Sequence, residues 1–190
     1  MRPLSLIILL LLAVTTYGQV TITVVESGSD LIMTATGSLD TTGLTAAGNT
    51  TYSPYLYPQN GAVITGANNA AATYYSGATA FGGSFGTAGF TAADAGGSGD
   101  LVYVSAFYLG LPQSYIDGTS LTSTNTFTDK SFSSLGLIEG TYVWSWPSDS
   151  ITLVIGGSAV PEPASWAALC GAMGLIATGF RRRPRQSIPT

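Results

Sequence analysis

The sequence predicts a mainly β body, an antiparallel sandwich or barrel-like domain, set between two apolar termini. Three observations predict it. Apolar residues recur with period two in several short segments, Gly, Asp and Ser clusters punctuate them, and no part of the body carries a helical stripe. The body runs over residues 19–159 of a 190-residue chain, enough for one domain with one core.

The elements follow in chain order. Val20, Ile22 and Val24 alternate with Thr21 and Thr23, as in a half-buried strand. Glu26-Ser27-Gly28-Ser29-Asp30 turns the chain, and Leu31 to Thr36 returns it as a hairpin. Between Thr41 and Gly99 small residues prevail, threaded with Tyr52, Tyr55, Tyr57, Tyr74, Tyr75, Phe81, Phe85 and Phe90. This stretch predicts long loops with short strands, anchored by aromatics rather than disordered. Leu101 to Leu109 reads as one strand buried on both faces. Asp117-Gly118 marks a tight turn between Ser114-Tyr115-Ile116 and Thr119-Ser120-Leu121. Thr141 to Trp146 forms a strand with Tyr142, Trp144 and Trp146 on one face; Pro147-Ser148-Asp149 turns it and Ile151 to Ile155 returns.

The termini are of another kind. Met1-Arg2-Pro3, the apolar run Leu4 to Val14 and the small residues at Thr16 and Gly18 make a secretory leader over 1–18, cut between Gly18 and Gln19. The rival is an uncleaved anchor, for which a run of eleven residues is short. At the other end, 160–163 holds Val160-Pro161-Glu162-Pro163, a stiff segment because proline locks its own φ and extends the residue before it. Residues 164–180 are free of charge, and seventeen residues give roughly 25 Å of helix, the lower limit for a bilayer. Trp166 suits the headgroup level, and Arg181, Arg182, Arg183 and Arg185, within 181–185, are a cytoplasmic stop that leaves the body outside. Residues 186–190 are a short tail. The alternative, a buried C-terminal helix of the body, does not account for the arginines.

Pro161-Glu162-Pro163, the apolar helix and the arginines, in that order, resemble the PEP-CTERM sorting signal of exported bacterial proteins. The resemblance implies an exosortase-type processing enzyme as partner, after the export translocon and signal peptidase, with the inner membrane as a transient or permanent anchor. It implies a final place at the cell surface or in the extracellular matrix. The body itself is similar to an ectodomain that recurs among such proteins. That similarity rests on Gly97-Ser98-Gly99-Asp100, Ser134-Leu135-Gly136-Leu137, Gly140-Thr141-Tyr142-Val143-Trp144-Ser145-Trp146 and Asp149-Ser150-Ile151-Thr152-Leu153. It supplies no activity.

Composition excludes several functions. The body holds nine acidic residues against one base, Lys130, a net of −8, which excludes nucleic acid as a partner. The positive mean hydropathy of the chain comes largely from its termini. The single cysteine, Cys170, lies in the predicted membrane helix, so the body has neither disulfide nor thiol nucleophile. Histidine is absent, which removes a Ser-His-Asp triad, a histidine base and histidine-ligated metals. The scattered carboxylates sit at turns, where aspartate bonds to backbone, so the expectation is no catalytic residue, no cofactor and no metal. Asp94-Ala95-Gly96-Gly97-Ser98-Gly99-Asp100 is similar to a calcium-binding nonapeptide but occurs once and lacks a residue; a plain turn is the simpler reading. Asn49-Thr50-Thr51 is a glycosylation sequon, and the Ser/Thr-rich body offers O-linked sites.

Two roles remain. The first is structural or adhesive work at the surface without catalysis. The second is a carbohydrate-binding module that recognises extracellular polysaccharide through exposed aromatics, with Tyr52, Tyr55, Tyr57, Trp144 and Trp146 as candidates. The two tryptophans have a competing assignment as core filling.

Overall fold

The computed structural model describes residues 19–80, 82–94 and 97–156. The predicted leader and tag, with Gly18, Pro161, Glu162, Pro163, Arg181, Arg182, Arg183 and Arg185, lie outside the described residues. Among the described residues no helix is long and apolar enough to cross a membrane.

The body is mainly β. Its strands are β1 (Val20–Ser27), β2 (Asp30–Gly37), β3 (Thr45–Tyr52), β4 (Tyr55–Tyr57), β5 (Ala62–Thr65), β6 (Ala70–Ser76), β7 (Thr91–Ala92), β8 (Ser98–Gly99), β9 (Val102–Val104), β10 (Leu109–Pro112), β11 (Leu121–Phe127), β12 (Gly140–Trp146) and β13 (Asp149–Ile155). They form two sheets, ordered β12-β13-β1-β2-β11-β8 and β3-β6-β10-β9-β5-β4-β7. Neither order returns to its start, so the barrel alternative is set aside.

The first sheet grows from the alternation in the sequence. Val20, Ile22 and Val24 on β1 and Leu31, Met33 and Ala35 on β2 all point inward and are fully buried. Gly28, at φ 66°, supplies the left-handed residue that a two-residue hairpin turn needs. On the outward face Thr23 and Thr34 share a 2.6 Å hydroxyl hydrogen bond. The hairpin of β12 and β13 docks against β1 in parallel, with Ile22 beside Leu153. The sheet is therefore mixed rather than antiparallel throughout. A parallel pair needs a long crossover, and here nearly the whole body lies between its two strands.

One core joins the sheets: Ile22, Met33, Trp144 and Leu153 from the first share it with Leu56, Val63, Val104 and Leu111 from the second. Burying each such side chain contributes about 1.5–3 kcal/mol. Above it, Asn125 of β11 reaches across to the backbone of Gly66, which follows β5.

Two expected elements are corrected. Leu101 to Leu109 is not one strand but β9, a turn and β10. The Ser105 hydroxyl accepts from the backbone N–H groups of Phe107 and Tyr108 at 3.4 and 3.1 Å, and this local capture turns the chain back. Asp117-Gly118 does turn, with Gly118 at φ 79°, but the residues around it form no hairpin. They belong to the connection from β10 in the second sheet to β11 in the first, pinned where the Tyr115 hydroxyl donates to the Thr119 carbonyl at 2.8 Å. The middle of the chain is also more regular than expected: Tyr52, Tyr55, Tyr57, Tyr74 and Tyr75 stand on β3, β4 and β6 rather than on loops.

The acidic side chains hold the loops. Asp30, Asp94, Asp100, Asp117 and Asp149 accept from the N–H groups of Asp129, Thr128, Thr122, Thr41 and Asp40 at 2.7–3.0 Å. Glu26 does so from Phe132 at 2.7 Å, and Asp40 from Thr42 at 2.8 Å. Hydrogen bonds from Thr42 hold the Asp40 carboxyl below its ordinary pKa, and those from Thr128 do the same for Asp94. Both groups are charged in folded and unfolded chains above the ordinary value of 3.8, so their contribution is complete there. Below it the unfolded chain takes up protons first, and the contribution is lost as pH falls through the lowered folded values. Thermal unfolding followed from pH 7 to pH 3 is expected to show a steady melting temperature above about pH 5 and a falling one below about pH 4. Asp94→Asn is expected to flatten that fall, and an unchanged slope in the variant would rule out Asp94 as a contributor.

Candidate functional site

The second sheet carries aromatic residues on the face turned away from the core. On β4 the period of two puts Tyr55 and Tyr57 on that face and Leu56 in the core. Pairing extends the face into a row. Tyr55 stands beside Ile64, Ile64 beside Tyr103, Tyr103 beside Gly110, Gly110 beside Tyr74, and Tyr74 beside Gly48.

The glycines explain how bulky rings fit there. A Cβ at Gly48 would lie 2.7 Å from the Tyr74 hydroxyl oxygen, and one at Gly110 would lie 3.0 Å from the Tyr103 Cβ. Without side chains at these two positions, the neighbouring tyrosines have room over the sheet. The rings also hold one another. Tyr52 and Tyr103 have centroids 4.9 Å apart, Tyr55 and Phe90 4.9 Å, Tyr57 and Phe90 6.4 Å, and Tyr74 and Tyr108 5.4 Å. Such pairs contribute about 0.5–1.5 kcal/mol each beyond area burial. Beneath them Ile64, Ala72 and Leu101 form a small second core.

A cleft of about 530 Å³ opens in this face. Since β4 and β9 flank β5, Tyr55 and Tyr57 stand on one side of Ala62, and Tyr103 with the Ser105–Tyr108 turn on the other; Asn60 also lines it. The lining contains no charged side chain. Burial pushes the Tyr55 phenol well above the ordinary tyrosine range, helped by neighbouring Tyr103, and burial also raises Tyr52. Both phenols therefore stay neutral and serve as hydroxyl donors and acceptors at any physiological pH.

The Ser105–Tyr108 turn is built to hold its shape. The Ser105 N–H donates to the Tyr108 carbonyl at 2.9 Å, and the Ser105 hydroxyl to the same oxygen at 3.1 Å. From the facing sheet, Trp144 Nε1 donates to the Ser105 carbonyl at 2.9 Å. At its tip Phe107 is 77% exposed, with Tyr108 at 42%; across the face Phe90 is 62% exposed.

Of the five aromatics expected from the sequence, the structure brings Tyr52, Tyr55 and Tyr57 together on this face. For Trp144 and Trp146 the core assignment holds and the ligand role is set aside. They are 1% and 7% exposed and fill the core, where β12 directs its alternate residues, and Trp146 Nε1 donates to the Asp40 carbonyl at 2.8 Å. Tyr103, Phe107 and Tyr108 were missed as site residues because the apolar run around them reads as a buried strand. The signal was Ser105, whose hydroxyl can turn the chain. Asp94 and Asp100 do not share a centre; each accepts from a different residue of the β11 region. Among the described residues no group of three or more His, Cys, Asp or Glu is placed to hold a metal ion. Asn49 is exposed on β3 and its side-chain oxygen accepts from the Thr73 hydroxyl at 2.8 Å. No family model, no curated protein and no solved structure matches the chain.

Proposed function

We propose that the chain is an exported, non-catalytic protein of the cell surface or extracellular matrix that adheres to extracellular polysaccharide through the aromatic face of its second sheet. The observation that carries this is the charge-free, tyrosine-lined cleft. Tyrosine offers a large, rigid, amphipathic surface at low entropic cost, and a cleft of about 530 Å³ lies within the size range of ligand sites. The structural and the carbohydrate-binding roles merge in this reading: a rigid sandwich ectodomain presents the binding face.

Delivery follows the itinerary of the termini. The translocon and signal peptidase release the leader between Gly18 and Gln19, which leaves β1 whole from Val20. The helix over 164–180 and Arg181, Arg182, Arg183 and Arg185 hold the body outside the inner membrane. An exosortase-type enzyme then acts at Pro161, Glu162 and Pro163. A cut there leaves β13, which ends at Ile155, intact.

One preparation tests both parts. The protein is recovered from the native cell-surface fraction, its terminal peptides are mapped by mass spectrometry, and its retention on polysaccharide from the same cells is measured. The expected form begins at Gln19, ends near Pro161–Pro163, and is retained; Tyr57→Ala is expected to weaken retention about tenfold, the equivalent of roughly 1.4 kcal/mol. A peptide running through Arg185 to Thr190 would replace processing with a permanent anchor. Equal retention of wild type and Tyr57→Ala would remove the cleft from the adhesive role.

A further inference from the structure

We infer that the cleft takes a neutral glycan, a segment of a hexopyranose chain whose hydroxyls are equatorial, and that Phe107 is the lip on which one sugar ring stacks. This rests on the polysaccharide reading above and narrows its ligand.

Charge selects against the acidic alternatives. Uronates, sulfated sugars and anionic lipid headgroups favour sites with Lys or Arg partners, since a carboxylate or sulfate leaving water without a compensating charge is costly. The body's only base is Lys130, which follows β11 in the first sheet and does not line the cleft. The phenols of Tyr55, Tyr57, Tyr103 and Tyr108 and the Asn60 amide line it instead. They match sugar hydroxyls as donors and acceptors.

Shape selects the sugar. A pyranose with equatorial hydroxyls presents flat C–H faces above and below its ring, and aromatic rings with electron-rich faces attract such C–H groups. Polar contacts are then made at the sugar's rim, where the phenol and amide groups belong.

Preorganisation singles out Phe107. An exposed phenylalanine on a mobile loop would signify little, but this one tops a turn closed by Ser105 and held from below by Trp144. Little ordering is left for a ligand to impose, which favours binding. The exposed rings could instead be imagined in a bilayer. That arrangement would carry four phenol groups and an amide toward hydrocarbon, where unpaired polar groups are disfavoured.

The test uses the full-length chain in a zwitterionic detergent without sugar groups, titrated with cellohexaose and with a hexagalacturonate and followed by NMR. Cellohexaose is expected to bind, to give cross-peaks to the Phe107 and Tyr57 rings, and to bind equally at low and high salt. Phe107→Ala is expected to weaken binding about tenfold, as loss of an aromatic anchor does, at an unchanged melting temperature; Phe107→Trp is expected to restore it. Binding of the uronate as tightly as cellohexaose, or a strong salt dependence, overturns neutrality and leaves polysaccharide adhesion standing. Ring contacts to detergent alone overturn the glycan assignment in favour of a lipid surface. Binding of neither hexasaccharide overturns the inference, and retention on the native polysaccharide then decides whether the broader reading falls with it.

Discussion

Trp144→Ala is expected to remove about 3–5 kcal/mol of stability through lost packing alone, with about 1 kcal/mol more from the hydrogen bond to Ser105. Trp144 is among the largest fully buried side chains, at 1% exposure. It sits on the outermost strand of the first sheet, beside Ile151, and its ring fills the core shared with the second sheet. Nothing smaller refills that volume, so a cavity remains. Against a total of roughly 5–15 kcal/mol for a domain of this kind, the variant is expected to melt roughly 10 °C or more below wild type. Trp144→Phe separates the two contributions. It keeps most of the packing and drops the Nε1 donor, so the cost is expected to be about 1–2 kcal/mol. Because the lost bond supports the turn that presents Phe107, glycan affinity is expected to fall even where the fold survives. Chemical denaturation gives the stabilities and the cellohexaose titration the affinities. A Trp144→Ala protein that melts within 2–3 °C of wild type, a shift worth only about 1 kcal/mol or less, would contradict the account of this core.

The first sheet is legible in the sequence for a physical reason. β1, β2, β12 and β13 each bury one face and expose the other to water, so the chain must alternate, and Val20, Ile22 and Val24 against Thr21 and Thr23 show it. Turn chemistry is legible for the same kind of reason: Gly28 and Pro147-Ser148 do locally what they do in any chain. Aspartate at a turn favours bonding to backbone, and the loop carboxylates here do so.

The second sheet conceals itself strand by strand, and in β5 neither face is wet in the usual way. Ala62, Val63, Ile64 and Thr65 are all buried, since the core covers one face of β5 and the small second core with its tyrosines covers the other. Alternation then vanishes, and a strand reads as an undifferentiated small-residue stretch. β3 fails in the opposite sense, as most of its residues are exposed, which leaves no apolar signal. Tyr52, Tyr55 and Tyr57 therefore stand out as candidate ligand aromatics without the strands that align them. Their partners Tyr103 and Tyr108 come from a hairpin far along the chain, and that register is fixed by pairing that no local pattern encodes. Trp144 and Trp146 illustrate the converse. Their shared face was readable from spacing, but only burial decides whether a shared face meets a ligand or a core.

Asn125 carries the other large effect, and no motif pointed to it. On β11 the inward positions are Leu121, Ser123, Asn125 and Phe127, so two polar side chains enter the interior. Ser123 donates to the Thr65 hydroxyl at 2.8 Å. Asn125, 1% exposed, accepts from the Gly66 N–H at 2.9 Å and donates to the Gly66 carbonyl at 2.8 Å. Its amide thus acts as a one-residue strand partner, joining the first sheet to the end of β5. Asn125→Leu fills the space but strips both partners from buried Gly66, at about 1–3 kcal/mol for each unpaired group. The expected loss is roughly 2–6 kcal/mol, enough to unfold a marginal domain. Asn125→Asp sharpens the test through charge. A carboxylate can accept from the N–H but faces the carbonyl with no proton to offer, so its folded pKa is raised, and protonation supplies the missing donor. Its stability is therefore expected to rise as pH falls from 7 toward 5, where wild type is expected to stay level. Urea denaturation of wild type, Asn125→Leu and Asn125→Asp at both pH values checks this. A leucine variant as stable as wild type would show that Gly66 finds other partners, and the clasp would lose its place as the tie between the sheets. If the loss appears, the tyrosine face rests on it too, because β5 lies under the cleft and Gly66 holds the end of β5 to β11.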